Sequence, residues 1–441
     1  MGYSGEINFD GLIGPTHNYA GLSQGNLASQ KHLNQTSNPQ AAALQGLDKM
    51  RIIMEQGIPQ GFFLPHERPN LITLRGLGFG GTDEEVIGRV AKQDPALLKN
   101  VYSASSMWAA NAATFSPSID SYDQTIHITP ANLNTMFHRS IEPEFTKMQL
   151  QLMFGSIANI HDPVSNISGY GDEGAANHLR VSAQHLKPGF QIFVYGNSAF
   201  ESHQGVIARQ AQEISQAVAA QHQLDPDLTL FLKQNNLAIE SGSFHNDIVS
   251  LANEEVFIFH QEAFADRVEL ERVLHHLKEH VKGFHPIEIL SADISLDDLV
   301  SSYLLNSQLI TLENNQMMML LPEEVQNHSN CMRWLDEIKS SSPIKRIEFV
   351  DIRQSMMNGG GPACLRFKTV VNDEEFSQVN QKFLLNPKKL MDLRSLISKH
   401  YRDNLSPEDL MDIKLMEESY TLLDELTQLL DLGSIYHFQQ T

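Results

Sequence analysis

Residues 247 to 260, DIVSLANEEVFIFH, form two β-prone runs divided by a polar turn, and the same order returns sixty-one residues later in QLITLENNQMMMLL. The first pair leads into QEAFADRVELERVLHHLKEHV, whose apolar residues (Phe264, Val268, Leu270, Val273, Leu274, Leu277) have helical spacing, and then into the strand HPIEILSA. The second leads into PEEVQNHSNCMRWLDEIK and then IKRIEFVDI. On this alignment Ile248 matches Leu309, Leu251 matches Leu312, Phe257 matches Met318 and Glu262 matches Glu323. A β-β-α-β unit cannot bury its apolar face alone, so its repetition predicts a stack of such units. Fainter copies lie upstream. Residues 107 to 130 hold two short strands around a polar turn, with Asn111 near the start of the unit much as Asn246 is near its own. Residues 189 to 196 are an apolar strand, and 204 to 223 have a helical pattern that includes Arg209. From about residue 385 the chain is mostly helical, with MEESYTLLDELTQLLDL amphipathic. One α/β domain spanning residues 1–441 is the expectation.

Charge narrows the partners. Thirty-two Lys and Arg against fifty-three Asp and Glu leave a net charge of −21, the wrong sign for nucleic acid or an anionic membrane. Two cysteines give no disulfide framework and no CxxC pair, so free thiols in a reducing compartment are expected. The start MGYSGEINFDG has neither the basic residues nor the apolar run of a signal peptide, and Glu6 stands where a myristoylation signal needs Ser or Thr. A cytoplasmic protein is the reading.

The stretch MMNGGGPACLRF sets three glycines and a proline before Cys364. Glycine costs a helix about 1 kcal/mol and proline about 3, so this segment is a loop. It ends at a half-buried strand on which Leu365 and Phe367 alternate with Arg366 and Lys368. Cys364 is therefore either a structural cysteine beside a turn or a thiol presented at a strand mouth. In the second case the glycines give clearance for a ligand, and Arg366 on the same face favours thiolate. Cys331, in a helical apolar stripe with Met332, Trp334 and Leu335, has a structural pattern.

Other residues of chemical interest are spread along the chain. His245 and Asp247, two apart, share one strand face, as a base beside a carboxylate or as half of a metal site. In YGDEGAANHLR the adjacent acids Asp172 and Glu173 point to opposite sides, so one at most faces a given pocket. NFDGLIGPTHNYAGLSQGNLAS has the composition of a polar binding loop and lacks the spacing of a nucleotide fingerprint. His138 is followed by Arg139, which could fork a carboxylate, as could Arg209 from its helix. These residues leave a cysteine enzyme, a metallohydrolase and a binding protein all open.

The segments NFDGLIGPTHNYAGLSQGNLAS, ANLNTMFHRS, GDEGAANH, FHND and MMNGGGPACLR resemble the signature segments of the N-succinylarginine dihydrolase family, from about residue 6 to about 438. That family belongs to the guanidino-group-modifying enzymes. The resemblance implies a pentein fold, a five-bladed α/β propeller of ββαβ units with pseudo-fivefold symmetry. It implies Cys364 as nucleophile, completed by His245 and Glu173. Substrate binding would fall to Ala20, Gly21, Leu22, Ser23, Gln24, Gly25, Asn26, Leu27, Ala28 and Ser29, with Asn111, His138, Arg139, Arg209, Asp247 and Asn358. It implies hydrolysis of N-succinylarginine to N-succinylornithine, two ammonia and carbon dioxide, with no cofactor or metal, in a cytoplasmic homodimer.

Overall fold

A computed structural model describes residues 3–200 and 208–440. Its strands are β1 (Gly5–Gly11), β2 (Gln60–Phe63), β3 (Ala113–Ser116), β4 (Ile126–Pro130), β5 (Ala158–Ile160), β6 (His178–Ser182), β7 (Gly189–Tyr195) and β8 (Thr229–Lys233). They continue with β9 (Ser250–Asn253), β10 (Val256–His260), β11 (His285–Ile289), β12 (Gln308–Thr311), β13 (Met317–Pro322), β14 (Ile344–Val350) and β15 (Arg366–Val371). They form five three-stranded sheets: β15-β1-β2, β3-β4-β5, β6-β7-β8, β9-β10-β11 and β12-β13-β14. In every sheet the middle strand is antiparallel to the first strand and parallel to the third. A parallel neighbour needs a crossover, and in each unit a helix supplies it: Pro39–Met54, Pro143–Phe154, Gln212–Gln221, Arg267–His280 and Ser329–Ser341. The five ββαβ units implied by the resemblance are present, and one of them draws its first strand, β15, from the far end of the chain.

Two details of the repeat differ from the sequence alignment. The middle strands keep the offset, with Phe257 and Met318 equivalent. Register, however, sets Leu251 opposite Ile258 and Leu309 opposite Met319. Leu251 therefore corresponds to Leu309, not Leu312, and Ile248 does not correspond to Leu309. Residues 254–255 join β9 to β10 whereas 312–316 join β12 to β13, so the longer turn shifts the first strand by three residues. The helix expected over 204–223 covers Gln212–Gln221; residues 204–207 lie outside the described part, and Arg209 precedes the helix in extended chain beside an isolated bridge from Asn197 to Ala211. In Arg267–His280, Leu270, Val273 and Leu277 are buried but Val268 faces solvent.

Burial explains the composition of the strands. MMMLL is apolar without alternation because both faces of its sheet are covered. Met317, Met319 and Leu321 join one core with Leu251 and Phe257, while Met318 and Leu320 join another with Phe9 and Phe367. Cys331 is buried beside Trp334 and Leu335, as its helical stripe predicts. The C-terminal helices Pro387–His400 and Ile413–Leu429 put Leu393, Ile397, Leu422 and Leu426 into the same core as Ile7. Tyr401 and Tyr436 tie that region to the N-terminal part by donating to the carbonyls of Ile13 and Pro65, each at 2.8 Å. Among the described residues no helix is long and apolar enough to cross a membrane.

The helix Pro39–Met54 is fixed to β1 by a buried ion pair, Lys49 Nζ to Asp10 Oδ2 at 2.5 Å, with Gln60 donating to the other Asp10 oxygen at 3.2 Å. Removing one partner strands a charge in the core, a loss of about 3–5 kcal/mol. Lys49→Met is expected to lower unfolding stability by that order in urea titration, and Asp10→Asn added to Lys49→Met to recover much of the loss.

Candidate active site

The first strands of the units all enter from one end, and the residues of interest lie just before them. Asn111, Asn306 and Cys364 each stand two residues ahead of β3, β12 and β15, and Glu173 and His245 each stand five ahead of β6 and β9. The topology therefore gathers residues from five distant segments.

Glu173 is fully buried and is the hub. Its Oε2 accepts from Arg139 Nη1 at 2.5 Å and meets His245 Nε2 at 2.7 Å, and its Oε1 accepts from the Thr135 hydroxyl at 3.1 Å. Gln210 Oε1 accepts its backbone N–H at 2.7 Å, and Asn111 Nδ2 donates to its carbonyl at 2.8 Å. Burial alone would raise this carboxyl, but the Arg139 charge, the His245 contact and the Arg209 charge outweigh it and hold Glu173 well below the usual carboxylate range. The carboxylate of adjacent Asp172 instead accepts from Gly174 N–H and from Nε2 of the same Gln210. The two acids do point apart as expected, although neither lies in a solvated turn.

Burial pulls the His245 pKa down to about 4 against the pull of Glu173, so the ring is neutral at pH 7. An ionised carboxylate at Nε2 requires the proton there, which leaves Nδ1 as the basic nitrogen. Burial pushes Asp247 up to about 7, and its Oδ1 has no protein partner. Cys364 Sγ lies 3.7 Å from Asp247 Oδ2 and accepts from Asn306 Nδ2 at 3.2 Å. Burial and the Asp247 charge together push the thiol well above its ordinary value, while Asn306 and the Gly361 N–H counter them. The thiolate-favouring role expected of Arg366 is therefore not filled in this ligand-free site: Arg366 begins β15 and interacts with Glu6, Asp10 and Asp247.

The glycines before Cys364 also differ from expectation. A Cβ on Gly359, which has φ +92°, would sit 2.0 Å from Asn26 Oδ1; one on Gly360 would sit 2.2 Å from the Trp108 ring; one on Gly361 would sit 2.6 Å from Asn306 Oδ1. Protein atoms fill the space that the sequence reading left for a ligand. Close packing of this loop, rather than clearance, is what these glycines permit.

The polar loop of residues 20–29 folds over this end. Asn26 caps the helix Leu27–Lys31 and donates to the carbonyls of Asn358 and Gly359, each at 3.3 Å. Ser29 donates to Asn358 Oδ1 at 3.4 Å, and Asn358 Nδ2 donates to the Asn18 carbonyl at 3.0 Å. Ala20, Gly21, Leu22, Ser23 and Ser29 share a small cavity with His138 and Asn358. Gln24, Gly25 and Leu27 face solvent; Leu27 and Ala28 line a separate apolar groove outside. Arg209 is buried over the Phe244 ring, 4.4 Å from its centroid, and donates to the Gln24 carbonyl at 2.6 Å. Its Nε and the Nη2 of Arg139 have no protein partner. Sequence reasoning missed Asn306, Thr135, Gln210 and Phe244. Asn306 alone carried a usable signal, its place two residues before a repeat strand, hidden by the three-residue alignment shift.

Five ββαβ units with a cysteine, a histidine and an acid at the mouths of their first strands have the layout of a pentein-fold hydrolase acting on C–N bonds. In agreement, the cyanobacterial arginine dihydrolase ArgZ of the ornithine–ammonia cycle superposes with TM-score 0.53 at 12% identity over 83% of this chain and 41% of its own. Its N-terminal domain alone gives 0.52 at 12% identity, over 83% and 98%. The Succinylarginine dihydrolase family profile matches residues 3–439. N-succinylarginine dihydrolases of Idiomarina loihiensis and Erwinia tasmaniensis are each 46% identical, over 99% of both chains. The chain belongs to the succinylarginine dihydrolase family.

The electrostatics give a counter-intuitive expectation. Asp247→Asn removes the negative charge that raises the Cys364 thiol, so iodoacetamide should label Cys364 faster at pH 7 and its pH–rate curve should shift to lower pH. Turnover should nevertheless fall by about 10–150-fold, the size of a lost charge-assisted hydrogen bond of roughly 1.5–3 kcal/mol.

Proposed function

We propose that the protein hydrolyses N-succinylarginine to N-succinylornithine, two ammonia and carbon dioxide, in arginine breakdown. The observation that carries the mechanism is the unpartnered Asp247 carboxylate oxygen beside the Cys364 thiol. A guanidinium is a planar cation with five N–H donors, and a buried carboxylate with a free oxygen suits it. Placed between Asp247 and sulfur, its charge offsets the burial that keeps the ligand-free cysteine protonated, so the thiolate forms when substrate is bound.

The thiolate attacks the guanidinium carbon, and the C=N π bond opens onto nitrogen. His245, carrying the thiol proton, delivers it to the departing nitrogen, which leaves as ammonia; a planar amidino-thioether remains. Neutral His245 then takes one proton from water, whose oxygen bonds to the same carbon; the C–S bond breaks, the remaining hydroxyl proton passes to the departing sulfur, and a ureido compound is left. A second cycle expels the second ammonia through a carbamoyl thioester. Its hydrolysis gives a carbamic acid that divides into amine and carbon dioxide. Glu173 orients the imidazole and stabilises its charged form. Arg139 Nη2 and Arg209 Nε, buried and unpartnered, suit the succinyl and α-carboxylates, with His138, Asn358, Ala20, Gly21, Leu22, Ser23 and Ser29 around them.

The reading extends to a single domain over the whole chain, supported by the core that holds both Ile7 and Leu430, and to a cytoplasmic homodimer, which rests on the family likeness. Counting ammonia per N-succinylarginine consumed tests the reaction. A ratio of two is expected, with no turnover in Cys364→Ala; a ratio of one would make it a deiminase, and an active Cys364→Ala would remove the thiolate route.

A further inference from the structure

The reaction sets a traffic problem. Between its two cycles the ureido compound must stay bound while one ammonia leaves and a second water arrives. On the loop side the site is sealed: Cys364 is 5% exposed, Arg209 and Asn26 pin the loop of residues 20–29, and the cavity beneath it holds about 20 Å³.

A larger cavity, about 110 Å³, reaches the site from the other side. Asp247, Ala110 and Ala363 line its inner end: Asp247 Oδ2 is 3.7 Å from the Cys364 sulfur, Ala363 precedes Cys364 in the chain, and Ala110 N–H donates to the Cys364 carbonyl at 3.1 Å. From there it follows the first strands away from the site, along Arg366, Lys368 and Val370 of β15 and Ser250 and Ala252 of β9, to Glu254 and His185. Its wall carries both signs of charge, and among its buried polar atoms without hydrogen-bond partners are Asp247 Oδ1, Arg366 Nη1 and His178 Nε2. A polar cavity of that size has room and partners for several waters. It has no room for a succinylated amino acid.

We propose that this cavity is a rear port, through which water enters and ammonia leaves while the loop of residues 20–29 stays closed on the ureido intermediate. The inference rests on the two-cycle reaction. Polar wall groups exchange hydrogen bonds with water and ammonia alike, so both pass, and the intermediate is held back by size. Opening the loop instead would offer the intermediate an exit at every turnover.

The test is to plug the port at Ala252, on β9 and well along the cavity from Cys364, with Ala252→Phe, using Ala252→Ser as the size control. Product release limits kcat in many enzymes, so slowing ammonia through the port should lower kcat on N-succinylarginine roughly tenfold in Ala252→Phe with KM unchanged. N-succinylcitrulline should accumulate in the medium, and Ala252→Ser should match the parent protein. Unchanged kcat without free ureido compound, in an Ala252→Phe protein that melts like the parent, would overturn the port. If Ala252→Phe does not fold, Leu179→Trp on the neighbouring strand β6 carries the same two readouts. The parent protein is assayed alongside: one ammonia per substrate there would end the two-cycle reading itself, independently of the plug.

Discussion

The pairing of β1 with β15, six residues in antiparallel register from Gly5–Val371 to Asp10–Arg366, is the constraint on which the site depends. It puts strands from the two ends of the chain into one sheet. It thereby sets Cys364 at the mouth of a first strand, as Asn111 and Asn306 are in their own units. Gly11 N–H donates to the Leu365 carbonyl at 3.0 Å, and Ala110 N–H to that of Cys364, so the residues around sulfur are held by backbone from the middle strand of their own sheet and from the unit of β3. This fixation costs the long-range closure of nearly the whole chain. The apolar cores on both faces of the sheets, which take up Phe9 and Phe367 together, offset it.

Within that frame the site is a set of buried charges that no unit could hold alone. Glu173, from one unit, is ionised because Arg139 and Arg209 lie near it and His245 donates to it. His245 is neutral because burial, aided by the Arg209 and Arg139 charges, outweighs the pull of Glu173 on its ring. Asp247 and Cys364 lack a cation in contact, and both are pushed toward their neutral forms. The two halves of the site are thus charged and uncharged by arrangement. The anchored half already holds its ion pairs, with Arg139 Nη2 and Arg209 Nε left over for a ligand, whereas the reacting half lacks one positive charge, which is what a guanidinium brings.

How much of this was legible in the sequence follows from which forces act locally. Strand and helix patterns in the last two complete units were strong because both faces of their sheets are buried, and the hairpin offset failed only where a three-residue difference in turn length left no mark on hydropathy. Cys364, His245 and Asp247 stood out by residue type, but the shared strand face read for His245 and Asp247 is not kept, because residues Asn246–Ile248 form a 3-10 turn ahead of β9. The Arg139–Glu173–His245 hub could not be read, since its members are separated by dozens of residues and meet only through the stacking of units. Asn306 is an ordinary amide in sequence, and its importance to sulfur is purely spatial.

The glycines illustrate the same limit from the opposite side. A glycine run before a cysteine invites a ligand-clearance reading, because nothing in the sequence says what occupies the missing side-chain volume. Here Asn26, Trp108 and Asn306 occupy it, one from the covering loop, one from the second unit and one from the unit beside sulfur. The glycines are therefore joints between segments. Asn26 anchors the loop through the Gly359 carbonyl, and Asn306 accepts the Gly361 N–H at 2.9 Å with its oxygen, which turns its Nδ2 toward Cys364. A side chain at either position would displace the asparagine before it met any ligand, so loop closure and the donor to sulfur depend on the same absent carbon atoms.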